Sequence, residues 1–175
     1  MKTHFNTKKI VLVGLLAAIT CIATMSIRIP TTKGYIHIGD SIVILSSIIL
    51  GPLLGGLAAS IGSFMADILA GYYMFAFATL IIKFIAAFGA GFMFKAIKNL
   101  KHLPLLLKVI IAGITSEILV ILGYFVFEIF YEGFAIALLE ILPNASQGIM
   151  GIILSSILCP ILLKIPAITN EHQNL

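Results

Sequence analysis

The sequence predicts an all-α membrane protein: one integral membrane domain over residues 1–175, a bundle of six transmembrane helices with both termini in the cytoplasm. Three observations carry this. The chain is 61% hydrophobic and only 10% charged, where a soluble domain is about a quarter charged, and its mean hydropathy is +1.17. Apolar runs near spanning length recur from Ile10 onward, separated by short polar links. The cations are sorted by side. Lys2, Lys8, Lys9, Lys95, Lys98, Lys101, Lys108 and Lys164 fall where the links are cytoplasmic, leaving Arg28 and Lys33 outside, eight against two. The net charge of +4 is therefore read as membrane orientation, and no nucleic-acid partner is expected.

Helix 1 is placed at about 10–29. Lys8 and Lys9 followed by an apolar run resemble a signal peptide, but the run to Ile27 is too long for a signal core and no Ala-x-Ala site ends it. Its small residues pair as Gly14/Ala18 and Ala17/Cys21, spacing that lets a second helix backbone approach closely. That face serves either the chain's own bundle or another membrane subunit. A polar loop, PTTKGYIHIGD, follows from Pro30 to Asp40. Helix 2, about 36–50, reaches only ~22 Å of the ~30 Å hydrocarbon core, so it must be sheltered by neighbours or line a cavity. Gly51-Pro52 makes the turn into helix 3, about 53–69.

Helix 3 carries two stripes at helical spacing. Gly55, Ala59, Gly62 and Ala66 form one; Gly56, Ser60, Ser63 and Asp67 form the other, hydroxyls in line with a carboxylate. Glycine weakens a helix, so the first stripe argues for close packing inside a bundle. The second is read as the centre of a small-molecule site. The link from Ala70 to Ala76 holds Tyr72 and Tyr73, either interfacial belt residues or a stacking gate. Helix 4 is placed at about 77–94, helix 5 at about 105–130 and helix 6 at about 144–165, with an acidic link holding Glu132 and Glu140 as solvated loop charges.

With this orientation the polar groups collect in the outer half. Asp67 and Lys83 are near enough across the helix 3–4 hairpin to be an ion pair or pocket lining. Glu117, Tyr124 and Glu128 share one face of helix 5, and Glu117, at mid-depth, must be protonated, paired or solvated. Asp40 and Asn144 open helices, as caps or as site residues. Gln147 follows on helix 6, and Tyr35 and His37 stand in the loop. These ten residues and Tyr72 are the candidate substrate-binding set of eleven, suited to a small, polar, partly aromatic ligand. With no Trp in the chain, stacking falls to Tyr35, Tyr72, Tyr73, Phe75, Tyr124 or Phe127. No phosphate loop, nucleophile elbow or zinc motif is present. Cys21 and Cys159 lie in apolar segments, so neither a disulfide framework nor a metal is expected. No enzymatic activity and no cofactor are expected.

The run GYIHIGDSIVILSSIILGPLLGGLAASIGSFMADILAGYY, the later TLIIK, and GYFVFE with PNASQGIMG resemble the substrate-binding (S) components of energy-coupling factor (ECF) transporters. The resemblance spans about Ile10 to Lys164. It implies capture of a vitamin or precursor outside the cell, of pyridoxine, pyrimidine or riboflavin type. It further implies delivery inward with a transmembrane coupling subunit and two ABC-type ATPases, in the plasma membrane of a bacterium. The family's helix 1 face that meets the coupling subunit corresponds to Gly14, Ala17, Ala18 and Cys21, and the family's gate to Thr31–Gly39. A stand-alone small-solute transporter or channel, or a structural subunit, are the alternatives from other classes.

Overall fold

The protein, described by a computed structural model over residues 7–31, 34–166 and 168, is built of five long helices and one short hairpin. Lys2 and Lys33 of the charge count, and Thr32 and Lys33 of the expected gate, lie outside the described residues. Helix α1 is Thr7–Ser26. Strands β1 (Ile29–Pro30) and β2 (Tyr35–Ile36) pair antiparallel, with Ile29 opposite Ile36 and Pro30 opposite Tyr35. Helices α2 (Gly39–Ala70), α3 (Tyr73–Ile97), α4 (Leu105–Tyr131) and α5 (Phe134–Leu162) follow. All five helices are long and apolar enough to cross a membrane.

Helix α2 is the axis of the bundle, packing against α1, α3 and α5. It is broken inside: Gly51 has φ 79° and ψ 178°, and Pro52 follows. Only glycine adopts that backbone without strain, and proline removes the donor that would carry the helix through. The break divides α2 into arms 39–50 and 52–70. They fold back closely enough that a Cβ on Gly55 would strike the Ser46 carbonyl and the Ser47 backbone. The first arm is buried on nearly every side: Val43, Ile44, Leu45, Ile48 and Ile49 are at most 1% exposed. A helix apolar all round is stable only when it is covered all round. The core spreads from it to Ala58, Ala90, Phe94, Val109, Ala112 and Cys159. The bundle's outer surface is large and apolar, with Phe77, Phe92, Phe130 and Leu142 all more than 60% exposed. That is the surface of a multi-pass membrane protein, whose solvent there is lipid.

Several expected boundaries are corrected. Helix 1 ends at Ser26 rather than about 29, and helix 2 begins at Gly39 rather than about 36, because Ile29 and Ile36 pair across the hairpin. The link between helices 3 and 4 contracts to Gly71 and Tyr72, because Gly71 (φ 84°) ends α2 in a left-handed cap whose N–H reaches the carbonyls of Asp67 and Ile68. The acidic link contracts to Glu132 and Gly133, the latter with φ 93°. Helix α5 therefore starts ten residues early, at Phe134, and runs through Pro143. Glu140 thus lies on a helix, 4% exposed, not in a solvated loop, and Asn144 is interior to α5 rather than its cap. Nor does Asp40 cap α2: the cap position is Ile38, and the Asp40 carboxylate turns inward to partners on α3 and α5.

The serine–aspartate stripe is also reassigned. Ser60 Oγ donates to the Leu57 carbonyl in its own helix, and Gly56 lies against the Phe84 ring. Gly62 seats the second arm on Ala17 and Thr20 of α1. Packing or an intrahelical bond thus accounts for Gly56, Ser60 and Gly62, while Ser63 Oγ is buried without a hydrogen-bond partner and Asp67 lines the cavity described below.

Gly55→Ala therefore forces backbone apart and should destabilise by ~1–3 kcal/mol. Gly14→Ala, where a Cβ would meet nothing within 4 Å, should be neutral or stabilising, since alanine favours a helix by about 1 kcal/mol over glycine. Thermal unfolding of the two variants in detergent, side by side with the parent, measures the contrast.

Candidate functional site

The hairpin lies across one end of the bundle and covers a cavity of about 60 Å³. Each wall comes from a different element. The hairpin supplies Tyr35 and His37. The α2–α3 junction supplies Asp67 and Tyr72, α4 supplies Tyr124 and Glu128, and α5 supplies Asn144 and Gln147. Eight of the eleven predicted residues thus meet around one space. Tyr73 does not; it is 63% exposed on the outer surface.

The other three, Asp40, Lys83 and Glu117, sit beneath the cavity and do not line it. Lys83 Nζ pairs with Asp40 Oδ1 at 2.5 Å, both side chains almost wholly buried. Of the two alternatives for Asp67 and Lys83, the ion pair is not formed: Asp40, in the first turn of α2, is the carboxylate that meets Lys83, and Asp67 lines the cavity, its Oδ1 accepting the Tyr35 hydroxyl at 3.0 Å. Asp40 Oδ2 accepts Gln147 Nε2 at 2.7 Å, and Gln147 Oε1 accepts the His37 backbone N–H at 3.1 Å. One polar chain thus runs from the hairpin through α5 to the first turn of α2 and on to α3. Lys83 Nζ also lies 5.5 Å from the Tyr124 ring centroid, a cation–π distance, and the Tyr124 hydroxyl is 2.9 Å from Thr79 Oγ1. Glu117 is 4% exposed and neither of its oxygens has a hydrogen-bond partner; Asp40 and Lys83 are the charges that act on it. Glycines admit both acids: a Cβ on Gly148 would strike Glu117, and one on Gly151 would press on Asp40 Cβ at 3.0 Å.

Two hairpin groups are tuned by burial. His37 Nδ1 accepts the Gly39 N–H at 3.1 Å, tying down a donor of the first turn that no cap side chain satisfies. Burial lowers the imidazole to about 4; Asp40 pulls it back up and Lys83 adds to the lowering, so the ring is neutral at pH 7 and Nδ1 is free to accept. Burial, with the neighbouring Asp67 carboxylate, raises the Tyr35 hydroxyl, which stays protonated and donates.

Sequence reasoning left Thr79, Glu140 and Pro143 out of the lining that they share. Thr79 stands one turn before Lys83, a spacing that was legible. Glu140, Asn144 and Gln147 fall at i, i+4 and i+7 on α5; placing the helix start at Asn144 hid this face. At the bundle's flank, Ala17, Ala18 and Cys21 border an apolar groove of about 230 Å³ with Ile61, Gly62, Met65 and Leu69 of α2, while Gly14 is exposed outside it. Among the described residues no group of three or more His, Cys, Asp or Glu is placed to hold a metal.

The model of the family described as ECF-type riboflavin transporter, S component, matches residues 4–164. An uncharacterized protein in a gap 3′ region of Pyrococcus woesei is 33% identical over 145 residues, covering 82% of this chain and 93% of that relative. Among solved structures, one described as "Structure and mechanism of the S component of a bacterial ECF transporter" superposes with a TM-score of 0.64 at 24% identity. It covers 90% of this chain and 96% of that one, a likeness of fold.

Lys83→Met strands the Asp40 carboxylate in the core and should cost ~3–5 kcal/mol, whereas adding Asp40→Asn should recover much of the loss; a double-mutant cycle of thermal unfolding measures the coupling. The His37 sign is set by the unfolded ring, which binds a proton at about 6.5, and the folded one, held to about 4. Its contribution is fully present above pH 6.5 and is lost as the pH falls towards 4. Stability measured from pH 8 to 4 should fall across that window, and less steeply in His37→Gln.

Proposed function

The chain belongs to the family of ECF-type riboflavin transporter S components, and we propose on that premise that it captures a vitamin or vitamin precursor for an ECF importer. The observation that carries the reading is the cavity under the hairpin, where rings, carboxylates and amides from four helices and the hairpin converge. Such convergent polar groups in an otherwise apolar bundle are expected to face a ligand, because intramembrane ionisable groups are costly elsewhere. The rings of Tyr35, Tyr72, Phe75 and Tyr124 suit a planar heteroaromatic, of riboflavin, pyridoxine or pyrimidine type.

Counting the two arms of α2 separately gives six crossings and returns both termini to the cytoplasm, in accord with the lysine asymmetry. The cavity then opens outward at the plasma membrane. At 60 Å³ it holds a few water molecules, whereas small-molecule sites run to about 300–1,000 Å³. The hairpin is therefore the gate, held shut by Tyr35 on Asp67, by His37 on Gln147, and by the Tyr35–Tyr72 ring contact at 4.8 Å. Opening breaks these contacts and leaves the Lys83–Asp40 floor in place. Delivery inward falls to a coupling subunit and two ABC-type ATPases, and the protein itself performs no chemistry. The groove flanked by Ala17, Ala18 and Cys21 is the face for the coupling subunit.

Thermal shift of the purified chain against a panel of vitamins and precursors tests the capture reading. Saturable stabilisation by one compound is expected, weakened in Asp67→Ala; a well-folded protein that binds no member of the panel would turn the assignment towards a channel or a structural subunit. Ala18→Leu should leave that binding intact and reduce co-purification with the coupling subunit, and undiminished assembly would move the docking face elsewhere.

A further inference from the structure

The polar groups around the cavity divide by whether their hydrogen bonds are already made. Tyr35 donates to Asp67, and the Thr79 and Tyr124 hydroxyls bond each other. Gln147 is used at both ends, by Asp40 and by the His37 backbone N–H. Asn144 is only half-buried, so water can serve its amide.

Glu128 stands apart. It lines the same cavity, is 4% exposed, and its Oε2 is buried with no hydrogen-bond partner. An acceptor buried in that way carries the full cost of leaving water. Its place in the fold adds to the cost. It lies in the last turn of α4, where the helix dipole turns its negative end and disfavours a carboxylate. The main chain there is fixed, since the Glu128 carbonyl accepts the N–H groups of Glu132 at 2.7 Å and Gly133 at 3.0 Å. The contacts that hold the hairpin down run to Asp67, Gln147 and Tyr72, none of them to Glu128. Lifting the hairpin therefore leaves this carboxyl in position on its wall. Proteins break local rules in this manner where a site needs the group, and what this group lacks is a donor.

We propose that Glu128 is a specificity-determining residue of the cavity, accepting an N–H or O–H from the ligand while the nearby rings of Tyr35, Tyr72 and Phe75 pack on the ligand's plane. The proposal rests on the capture reading and deepens it. The ligand class is a planar heteroaromatic that carries a hydrogen-bond donor at its edge. Neutral and cationic compounds qualify alike. A compound with only acceptors or methyl groups at that edge does not, because it seals the carboxyl from water and gives it no partner.

The test is calorimetric binding to the full chain in detergent, with riboflavin and pyridoxine as probes. Each is set beside analogues that lack one donor: 3-methylriboflavin and lumiflavin for the first, 3-O-methylpyridoxine and 4-deoxypyridoxine for the second. For the probe that binds, Glu128→Met should weaken affinity about ten- to a hundredfold, the worth of a hydrogen bond to a charged group. One donor-lacking analogue should bind the parent chain weaker by a similar factor and lose nothing further in Glu128→Met, so that the cycle shows coupling. Without ligand, Glu128→Met should unfold at the same temperature or higher, since it removes an unpartnered polar group. A lower melting temperature would show that the carboxyl is satisfied within the chain, and would overturn the proposal. Should Glu128→Met fail to fold, Glu128→Gln serves for the cycle: as a weaker, neutral acceptor it should weaken the probe several-fold and spare the donor-lacking analogue. A probe and analogues that bind the variant as tightly as the parent chain would mean that water alone meets Glu128, overturning the assignment and leaving the capture reading intact. Binding of neither probe nor any analogue would overturn both.

Discussion

The buried pair between Lys83 and Asp40 is the constraint around which the bundle is arranged. An ammonium and a carboxylate without water are costly unless they meet each other and their remaining hydrogen-bonding capacity is filled. Here every neighbouring helix contributes. The first turn of α2 brings Asp40, α3 brings Lys83, α5 brings the Gln147 amide, and α4 brings the Tyr124 ring and the Glu117 carboxylate. The glycines of α5 opposite both acids show the same constraint from the other side, since a methyl at Gly148 would occupy the space of Glu117. Apolar ridges tolerate sliding by a turn; this cluster does not, so it sets the rotation of four helices at once.

The break at Gly51-Pro52 gives the pair its place. By folding α2 back on itself, it sets Asp40, at the start of the first arm, and Asp67, near the end of the second, around one end of the bundle. Asp40 then becomes floor and Asp67 wall. The hairpin binds to both levels: Tyr35 to the wall carboxylate, and His37 through Gln147 to the floor. In the proposed function the hairpin is the gate, which lifts from Asp67 while the ion pair beneath keeps the helices in register.

Some of the site was legible because depth in a membrane sorts polar residues. Asp67, Tyr124, Glu128 and Gln147 were recognisable as one group from their positions along apolar helices, since a bilayer penalises a polar group wherever no partner or cavity receives it. Two local rules misled. Asn144 was read as opening a helix, where α5 already runs from Phe134 and carries Glu140 into the cavity wall. The serines following Gly56 were read as lining, where helix packing and an intrahelical bond account for Gly56 and Ser60.

The sequence by itself determined the all-helical membrane class, the approximate place of most apolar segments, the family, and the gathering of polar groups at one end of the bundle. These follow from composition, spacing and order along the chain, which need no knowledge of neighbours. Only the tertiary structure decided which acid meets Lys83. Asp67 is sixteen residues from Lys83 across one tight turn and Asp40 is forty-three away, so proximity in sequence favoured the wrong partner. The choice belongs to the fold of α2 at Gly51 and to the angle at which α3 and α5 pack on its first arm, and partners brought together by packing leave no periodic trace in the sequence.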